Sequence, residues 1–408
     1  MRYIFFLLSL ISFSFFGQTK NVLFLGNSYT YSNSLPQLTA NIALSFNDTL
    51  NWDSNSPGGY TFEQHSTNTT TLSKITASNW DYVVLQEQSQ IPSFPPSQVA
   101  NDCYPFASIL VDSIKSANSC AEPLFFMTWG RENGDQSNCA NYPPLCTYDG
   151  MQSRLRESYI EMSIDNQCSV SPVGAAWKYV RDQYPSISLY SSDGSHPSIY
   201  GSYLAACVHY SSIYKKSAVG SSYCSSISCS DALLLQEAAA LIVLDSLDNW
   251  RIGANEVAAS FSYQIIGTNA SFTNTGQNAL SAVWDFGDGN SSTDMNPTHN
   301  YTANGSYTVQ LIAHGNCGSD TLFQTIDISN VGIKEHDAYQ IIQNKNTILL
   351  LFNSSTEKKV TLFNLEGKIL YTNNSCFSEL IIPVLSKKFY ILSIVDSKGT
   401  SNKKIFTP

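Results

Sequence analysis

The chain has few charged residues and is particularly poor in basic ones. Lys and Arg together number 22 of 408 residues, charged residues make up 13% of the chain, and the net charge is −10. The basic residues form no stripe, which argues against nucleic acid as a partner because phosphate backbones are bound by clustered Lys and Arg. Ser, Asn, Thr and Tyr are abundant instead. This composition suits an extracellular protein that faces polar, hydroxylated material.

Long apolar runs are absent after the N-terminal segment. No later stretch approaches the roughly 18 consecutive apolar residues that a spanning helix needs. The first residues contain the one long run, "YIFFLLSLISFSFF", which Arg2 precedes and Gly17 and Gln18 follow. This pattern predicts a secretory signal peptide over residues 1–17 and no transmembrane segment in the mature chain. The alternative is an uncleaved N-terminal anchor.

The ten cysteines lack the spacing of a zinc site. No C-x-x-C pair is accompanied by a second pair or a His at a matching distance, so no metal is predicted. In an exported chain the cysteines are disulfide candidates. Two pairs are close enough to close small loops, Cys139 with Cys146 and Cys224 with Cys229. Four others would need longer connections: Cys103, Cys120, Cys168 and Cys207. Cys317 and Cys376 stand alone in different segments, which predicts unpaired thiols.

The order of sequence patterns predicts two or three domains, as expected for a chain longer than about 250–300 residues. From Lys20 to about Asn249, strand-like runs such as "NVLFLG", "DYVVLQ", "EPLFFMTW" and "VSPVG" alternate with segments of helical periodicity. This alternation predicts a mostly parallel sheet covered by helices, with a last helix from Ala238 to Trp250. After Arg251, short alternating strands with Gly, Asn and Thr turns predict two small β-sandwiches.

Two short motifs lie where an α/β sheet places its chemistry. The stretch "NVLFLGNSYT" ends a buried-looking strand at Ser28, and "SSDGSHPSIYG" places Asp193 three residues before His196. Pro197 then favours the start of a helix. If the sheet is parallel, both loops lie at one edge of it. A carboxylate there can orient an imidazole that activates a serine, although a simple turn would also explain "DGSH".

Together these motifs resemble those of the SGNH, or GDSL-like, hydrolases. In that family the first strand ends in G-[DN]-S-x-[ST], matched by "GNSYT", and the domain closes with D-x-x-H-P, matched by "DGSHP". The resemblance covers about residues 20–250 and places an SGNH-like domain at 18–252. It implies a three-layer α/β/α sandwich with a parallel sheet. Ser28 would be the nucleophile, His196 the general base and then acid, and Asp193 its orienting partner, with no cofactor.

The resemblance also implies donors for the oxyanion of an ester. The backbone N–H of Ser28 would be one, and Gly59 in "SPGGYT" matches the glycine of the second family block, with Gly58 as the alternative. The third block is normally G-x-N-D, but this chain reads "DYVVLQEQSQ" and has no Asn there. A Gln can donate the same N–H from one methylene further out. Gln86 at the strand end is the first choice, and the alternatives are Gln88 and Gln90.

Several side chains near strand ends are candidates for substrate contacts. They are Tyr29, Tyr31, His65, Trp129 and Arg131, of which Tyr29, His65 and Trp129 are the main candidates. Aromatic rings there could stack on sugar rings. Packing in the core is the alternative role for each of them.

Two further segments resemble known modules. "AVWDFGDGNSSTDMNPTHNYTANGSYTVQLIA" resembles a PKD-type repeat, which implies an immunoglobulin-like β-sandwich at 255–330. Asp285 and Asp288 are expected to hold its turn through hydrogen bonds to backbone N–H groups, with calcium binding as a weaker alternative. Residues 333–408, with "VTLFNLEGKILYT" and "FYILSIVDSKGTSNKKIF", resemble a C-terminal sorting domain of the type IX secretion system. The alternative there is a third structural sandwich.

These expectations combine into one hypothesis of function. The chain is expected to be a secreted or cell-surface serine esterase whose substrate is an ester, with O-acetyl groups on a polysaccharide as the favoured class. The type IX secretion machinery would be its export partner. Small or lipid esters are the nearest alternative substrates. A hypothesis from a different class of function is a glycan-binding or adhesion protein. It would have an SGNH scaffold that has lost activity through its altered third block.

Overall fold

The computed structural model describes residues 17–328, 339–344, 346–352, 357–376, 378–386, 388–396 and 399–407. The predicted signal peptide lies outside these residues except for Gly17, and so does the start of the predicted sorting domain, up to residue 338. The chain divides into two compact units. The first contains the residues up to Ala259 and two short segments, 276–281 and 312–321. The second contains the rest.

The first unit is built on a five-stranded parallel sheet with strand order β2-β1-β3-β4-β5. Its strands are β1 (Thr19–Leu25), β2 (Thr49–Asn55), β3 (Tyr82–Leu85), β4 (Glu122–Phe126) and β5 (Ser169–Ser171). Every residue of β3 is buried, as are the last four of β1. Alternate residues of a strand point to opposite faces, so both faces of the sheet are covered. The predicted α/β class is confirmed.

Helices cover this sheet. Those of the described residues are α1 (Ser28–Tyr31), α2 (Leu35–Ser45), α3 (Phe62–Thr67), α4 (Thr69–Thr76), α5 (Pro96–Asp102), α6 (Tyr104–Ala117), α7 (Tyr148–Asp165), α8 (Val173–Gln183), α9 (Ile199–Tyr214) and α10 (Cys229–Leu244). Short 3-10 turns lie at Ser32–Ser34, Ile91–Ser93, Pro143–Cys146 and Leu247–Trp250. Helix α9 packs against α2, α8 and α10, and α6 packs against α3, α4 and α5. None of the helices in the described ranges is long and apolar enough to cross a membrane.

The last helix differs from the predicted one. It was expected from Ala238 to Trp250, but α10 already begins at Cys229 and ends at Leu244. Ser228 caps the helix, because its hydroxyl accepts a hydrogen bond from a backbone N–H of the first turn. The chain then leaves the helix and forms a separate 3-10 turn that ends at Trp250. The helix begins in a polar stretch rich in Ser, so hydrophobic periodicity did not reveal the first half of α10.

Seven short strands follow. They are β6 (Phe261–Ile266), β7 (Asn269–Asn274), β8 (Ser281–Asp285), β9 (Ser291–Ser292), β10 (Thr298–Asn300), β11 (Gly305–Gly315) and β12 (Gly318–Ile328). They form two sheets, β10-β7-β6 and β12-β11-β8-β9. The buried ring of Trp284 contacts Phe261 and Phe272, with ring centroids 5.0 and 5.4 Å apart. The turn is held as predicted, since Asp285 and Asp288 accept hydrogen bonds from backbone N–H groups two residues later.

The remaining strands also form two sheets. They are β13 (Tyr339–Asn344), β14 (Thr347–Phe352), β15 (Lys358–Phe363), β16 (Ile369–Ser375), β17 (Glu379–Pro383), β18 (Lys388–Asp396) and β19 (Gly399–Thr407). Their strand orders are β13-β14-β17 and β16-β15-β18-β19. Alternating residues such as Ile348, Leu350 and Ile382 form an apolar core. The C-terminal part of the chain is therefore all-β, as predicted.

The disulfides of the described residues agree with the prediction at two pairs and contradict it at a third. Cys139–Cys146 and Cys224–Cys229 are bonded as expected. Cys317 was predicted to be unpaired, but it lies between β11 and β12 and is bonded to Cys120, just before β4. Folding brings together two cysteines that are 197 residues apart, which sequence spacing cannot reveal. Cys103, Cys168 and Cys207 were also disulfide candidates, but all three are buried and unpaired, whereas Cys376 is unpaired as predicted and exposed.

Candidate active site

Ser28 lies at the carboxyl end of β1, where the strand order of the sheet reverses between β1 and β3. In open α/β sheets this reversal opens a crevice between loops that leave in opposite directions. Asn27 caps the short helix α1, because its side-chain oxygen accepts a hydrogen bond from the backbone N–H of Tyr29 at 3.2 Å. The Asn27 amide also donates to the carbonyl of Tyr60 at 2.9 Å. The hydroxyl of Ser28 is thereby held at a fixed, partly exposed position.

The structure brings the three predicted triad side chains together. Nε2 of His196 is 2.9 Å from Oγ of Ser28, and Nδ1 of His196 is 2.5 Å from Oδ2 of Asp193. The carboxylate can only accept, so Nδ1 carries the proton and Nε2 is free to accept one from Ser28. This is the arrangement in which an imidazole can remove the proton of a serine hydroxyl.

The loop that carries His196 is a tight turn organised by Asp193. Oδ1 of Asp193 accepts hydrogen bonds from the backbone N–H groups of Ser195 and His196, each at 2.9 Å. Partial burial acts to raise the pKa of Asp193, but these bonds and the one from the His196 ring hold that pKa well below its usual value. Gly194 has a φ of +66°, which glycine adopts without strain. The carboxylate is therefore ionised and fixed beside the imidazole.

Gln86, the predicted amide donor of the oxyanion site, has another task in the structure. Its side chain is buried, and its Nε2 donates to Oδ1 of Asn27 at 2.9 Å and to the carbonyl of Glu87. Its Oε1 accepts from the backbone N–H of Asn27 at 2.9 Å and from the hydroxyl of Thr30 at 2.8 Å. Both amide hydrogens are thus used inside the protein, and the assignment of Gln86 as oxyanion donor is wrong for this structure. Gln86 instead anchors the loop that carries Ser28.

The glycine of "GNSYT" is explained by the same contacts. A Cβ at Gly26 would lie 2.3 Å from Oγ1 of Thr30 and 2.6 Å from Oε1 of Gln86. No side chain fits at that position unless the anchoring amide moves. The strand ends on a small residue because the Gln86 carboxamide must approach the backbone there.

Unused donors lie around Ser28. The backbone N–H groups of Ser28, Gly58 and Gly59 make no hydrogen bond within the described residues, and all three residues line the same cleft. Gly59 has a φ of +73°, a left-handed conformation that suits glycine. Gln88 also lines the cleft, and its amide makes only one internal donation, to Oε1 of Gln90 at 3.1 Å. The amide of Gln90 does not line the cleft and donates to Asp135 instead.

Two of the three main candidates for substrate contacts are placed elsewhere. His65 is fully buried, with Nε2 2.8 Å from the carbonyl of Gly26 and Nδ1 2.8 Å from the hydroxyl of Thr71. Burial lowers its pKa, so the ring is neutral and supports the end of β1. Trp129 is also fully buried and donates from Nε1 to the carbonyl of Ser195 at 3.0 Å. Both were candidates for substrate contacts with core packing as the other role, and the structure places both in the core, where they hydrogen-bond to loops of the site.

Tyr29 is the main candidate that does line the cleft. Its ring stacks on Trp129 with centroids 4.6 Å apart, and its hydroxyl is 2.7 Å from Oγ of Ser195. The ring also meets the His196 ring edge to face at 5.5 Å. Tyr29 thus connects the buried aromatic layer to the loop that carries His196, and its side chain is almost fully buried.

The cleft has a volume of about 380 Å³. Tyr31 and Arg131, both singled out in the sequence, line it, and so do two residues that the sequence analysis did not consider, Ser89 and Ser195. Ser195 lies inside the "DGSHP" motif, so its proximity to His196 could have revealed it. Within the described residues, no group of three or more His, Cys, Asp and Glu side chains could hold a metal ion.

Comparison with known proteins identifies one module outright. Residues 252–329 match the family model of the PKD domain. The predicted PKD-type module at 255–330 is therefore confirmed. A curated relative, Collagenase ColA from Bacillus cereus, is 46% identical over 46 residues, which are 11% of this chain and 5% of that protein. The chain thus spans only a small part of that relative.

Two solved structures with similar chains each cover about half of this chain. A DUF4886 family protein from Bacteroides uniformis is 17% identical, covers 56% of this chain and 95% of its own, and has a TM-score of 0.48. A protein from Slackia heliotrinireducens, provisionally assigned to the SGNH hydrolases, is 26% identical and covers 47% of this chain and 98% of its own, with a TM-score of 0.39.

Proposed function

We propose that the chain is a serine ester hydrolase whose nucleophile is Ser28. The observation that carries this proposal is the continuous hydrogen-bonded series from Asp193 through His196 to Ser28, with distances of 2.5 and 2.9 Å. A neutral serine hydroxyl is a weak nucleophile, and a positioned base of this kind is what activates it. The three side chains come from two loops that meet at one edge of the sheet and open into one cleft.

The reaction proceeds through an acyl-enzyme. Oγ of Ser28 attacks the ester carbonyl carbon as Nε2 of His196 takes the serine proton, and the carbonyl oxygen becomes an oxyanion. His196 then gives this proton to the alcohol oxygen, the C–O bond of the ester breaks, and the alcohol leaves. A water molecule then attacks the acyl carbon as Nε2 of His196 takes its proton, the bond to Oγ of Ser28 breaks, and the carboxylic acid leaves as that proton passes to Ser28. Asp193 keeps the imidazole in the required tautomer and stabilises it when it is protonated.

The oxyanion is bound by the backbone N–H groups of Ser28 and Gly59. Gln88 completes the set, because its amide has a free donor at the cleft, whereas both amide hydrogens of Gln86 are used inside the protein and Gln90 does not line the cleft. Each preorganised donor of this kind contributes about 3–4 kcal/mol to the stability of the transition state. Gln88 therefore replaces the missing asparagine of the third family block.

The favoured substrate is an O-acetyl ester on a polysaccharide outside the cell. The PKD domain and the disulfides within the described residues fit an extracellular protein. The cleft is lined largely by hydroxyl, amide and aromatic side chains, which suit a sugar better than a long lipid chain. The C-terminal strands serve as the sorting address for the type IX secretion system.

Hydrolysis of p-nitrophenyl acetate by the purified chain tests the proposal. We expect Ser28→Ala to lower kcat by about 10⁴-fold or more, as loss of a triad nucleophile does. Ser73→Ala, a serine on the exposed surface of α4, is the matched control and should keep the wild-type rate. A fluorophosphonate probe should label the wild type and the control variant on Ser28, and it should leave Ser28→Ala unlabelled.

Equal rates for wild type and Ser28→Ala would remove the enzyme proposal. In that case, binding of an insoluble acetylated polysaccharide by both proteins would favour the alternative, a glycan-binding protein on an inactive SGNH scaffold.

A further inference from the structure

One charged side chain in the cleft has no part in the chemistry of ester cleavage. Arg131 lines the cleft together with Ser28 and His196. The other side chains that line it in the described structure are neutral or, in the case of His196, part of the triad. The cleft contains no Lys, Asp or Glu. A permanent positive charge thus faces the substrate within a chain whose net charge is −10.

The position of Arg131 is fixed by a buried carboxylate. Nη1 of Arg131 lies 3.3 Å from Oδ1 of Asp135, whose side chain is fully buried. Asp135 is itself held by neutral donors, namely the amides of Gln90 and Asn138 and the hydroxyl of Ser137, at 2.6–2.7 Å. Burial acts to raise the pKa of Asp135, but these donors and Arg131 keep it lowered, so the carboxylate is ionised.

The backbone around Arg131 is equally constrained. The N–H of Gly134 donates to the carbonyl of Arg131 at 2.9 Å, and the N–H of Asp135 donates to the carbonyl of Leu145 at 2.7 Å. A Cβ at Gly134 would lie 2.4 Å from that same Leu145 carbonyl oxygen. The loop after β4 therefore presents the guanidinium from a preorganised support.

The guanidinium is only partly used inside the protein. Of its nitrogens, Nη1 makes the one hydrogen bond found in the described residues, Nε is buried without a partner, and Nη2 has no partner and is not buried. The side chain is 28% exposed. Five N–H groups in a planar fork match the two oxygens of a carboxylate or a sulfate. The hydroxyls of a neutral sugar can accept single hydrogen bonds from this group, but only an anion also compensates its charge and binds both arms of the fork.

We propose that the ester substrate carries an anionic group, a carboxylate or a sulfate, on the sugar unit that bears the ester or on its neighbour, and that Arg131 binds this group. The proposal rests on the ester-hydrolase function above and narrows it from polysaccharides in general to acidic ones. Arg131 is then a specificity-determining residue, and Asp135 is the positioning residue that holds it. The reacting centre of Ser28, His196 and Asp193 works without it on small neutral esters.

The experiment compares acetate release from matched polymers by the full purified chain. The probes are O-acetylated polygalacturonate, the same polymer with its carboxylates methyl-esterified, and an O-acetylated sulfated galactan. p-Nitrophenyl acetate reports the basal reaction. Arg131→Gln should lower kcat/KM on the anionic polymer that serves as substrate by about 10- to 100-fold, mainly through KM, since one charge-assisted contact is lost.

The same variant should change the rates on the methyl-esterified polymer and on p-nitrophenyl acetate by less than about threefold. Arg131→Lys should fall between wild type and Arg131→Gln on the anionic polymer, because it retains the charge but not the fork. Arg156→Gln, which removes an exposed guanidinium over Trp250, is the control and should match wild type on every probe. The two anionic polymers separate a carboxylate from a sulfate ligand.

Four results would overturn the proposal while leaving the hydrolase in place. The first is an equal loss for Arg131→Gln on all probes, which would place Arg131 in the reacting centre or the fold, and the second is no loss on any probe. The third is a wild type that prefers the methyl-esterified polymer. The fourth is activity on p-nitrophenyl acetate with no acetate released from any polymer above the Ser28→Ala background. Failure of the hydrolase itself appears separately, as wild-type rates equal to those of Ser28→Ala on every probe.

Discussion

At the scale of single residues, a primary amide offers two N–H donors and one oxygen, and only the donors left unused can serve a substrate. Gln86 uses both of its donors in the buried contacts that fix Asn27 and the turn at Glu87. Gln88, two residues later, keeps one donor free at the cleft. Two chemically identical side chains in one loop are thus separated into an anchor and a candidate oxyanion donor by their hydrogen-bond partners alone.

Alanine substitutions separate these two roles. Gln88→Ala should lower kcat by about 100-fold, because it removes one donor to the oxyanion. It should lower stability less than Gln86→Ala, because the side-chain oxygen of Gln88 accepts only from the part-buried backbone N–H groups of Gln90 and Ile91. Gln86→Ala should lower the free energy of unfolding by about 2–4 kcal/mol, because it leaves buried polar groups without partners. Thermal melts and steady-state kinetics on p-nitrophenyl acetate measure both effects. Gln90→Ala is the comparison within the same loop and should affect kcat less than Gln88→Ala.

A loss of kcat by Gln86→Ala with an unchanged melting temperature, together with normal kinetics for Gln88→Ala, would contradict both assignments.

Residue-level prediction from the sequence succeeded where the necessary information is local. Asp193 and His196 lie three residues apart on one constrained turn, so their contact could be expected from spacing. Whether His65 or Trp129 faces solvent depends instead on helices and strands far away in sequence, which bury both side chains. Burial of an aromatic ring near a strand end is a tertiary property, and its residue type does not reveal it.

At the scale of helices and strands, the position of the site follows from the ends of parallel strands. The predicted runs match β1, β3, β4 and β5. The first three were found because strands buried on both faces have largely apolar sequences. The edge strand β2 escaped prediction, since its sequence "TLNWDSN" is polar and only half-buried. Its location matters for the site, because the loop that follows it carries Gly59 to the cleft.

Glu87 couples β3 to α3 and makes stability depend on pH. Its fully buried carboxyl accepts hydrogen bonds from the backbone N–H groups of Phe62, the first residue of α3, and of Gln88. Burial outweighs these bonds and raises its pKa from 4.5 to about 8. The folded state therefore keeps a proton that the unfolded state releases between about pH 4.5 and pH 8. The contribution of Glu87 to the free energy of unfolding therefore falls as pH rises through that window, and it is constant at higher pH.

Glu87→Gln should therefore reduce the loss of stability between pH 5 and pH 8. The amide is uncharged at every pH. Between pH 5 and pH 8 the free energy of unfolding of the variant should therefore rise by at least about 1 kcal/mol relative to that of the wild type. Thermal melts at pH 5, 6.5 and 8 measure the effect. Glu237→Gln, on the exposed face of α10, is the control and should follow the wild-type pH dependence. Parallel curves for wild type and Glu87→Gln would show that Glu87 is ionised throughout.

At the scale of the whole molecule, sequence patterns predicted the order of modules better than the covalent links within the first compact unit. The change from helical to alternating periodicity near Arg251 coincides with the change from α/β to all-β structure, because each class of fold has its own hydrophobic period. Long-range pairs carry no such periodic pattern. The bond between Cys120 and Cys317 joins residues from either side of the predicted boundary at 252, and both cysteines belong to the first compact unit.

This disulfide should contribute more to stability than the two short ones. A cross-link restricts the unfolded chain in proportion to the logarithm of the loop it closes. The separation of 197 residues between Cys120 and Cys317 corresponds to about 5 kcal/mol on that basis, and the separation of 5 residues between Cys224 and Cys229 to about 2 kcal/mol. The double variant Cys120→Ser/Cys317→Ser should therefore melt at a lower temperature than Cys224→Ser/Cys229→Ser when both are measured by calorimetry in the same buffer.

Alkylation of the folded, non-reduced chain gives an independent check on this bond. Cys376 should react, because it is exposed and unpaired, whereas Cys120 and Cys317 should react only after reduction. Mass spectrometry of a non-reduced digest should then show one linked pair of peptides that contains both residues. Alkylation of Cys120 and Cys317 without reductant, or equal melting temperatures for the two double variants, would contradict the assignment. The disulfide stabilises the protein by restricting the unfolded chain. The double variant Cys120→Ser/Cys317→Ser should therefore lose stability even if the native contacts near Cys317 are unchanged.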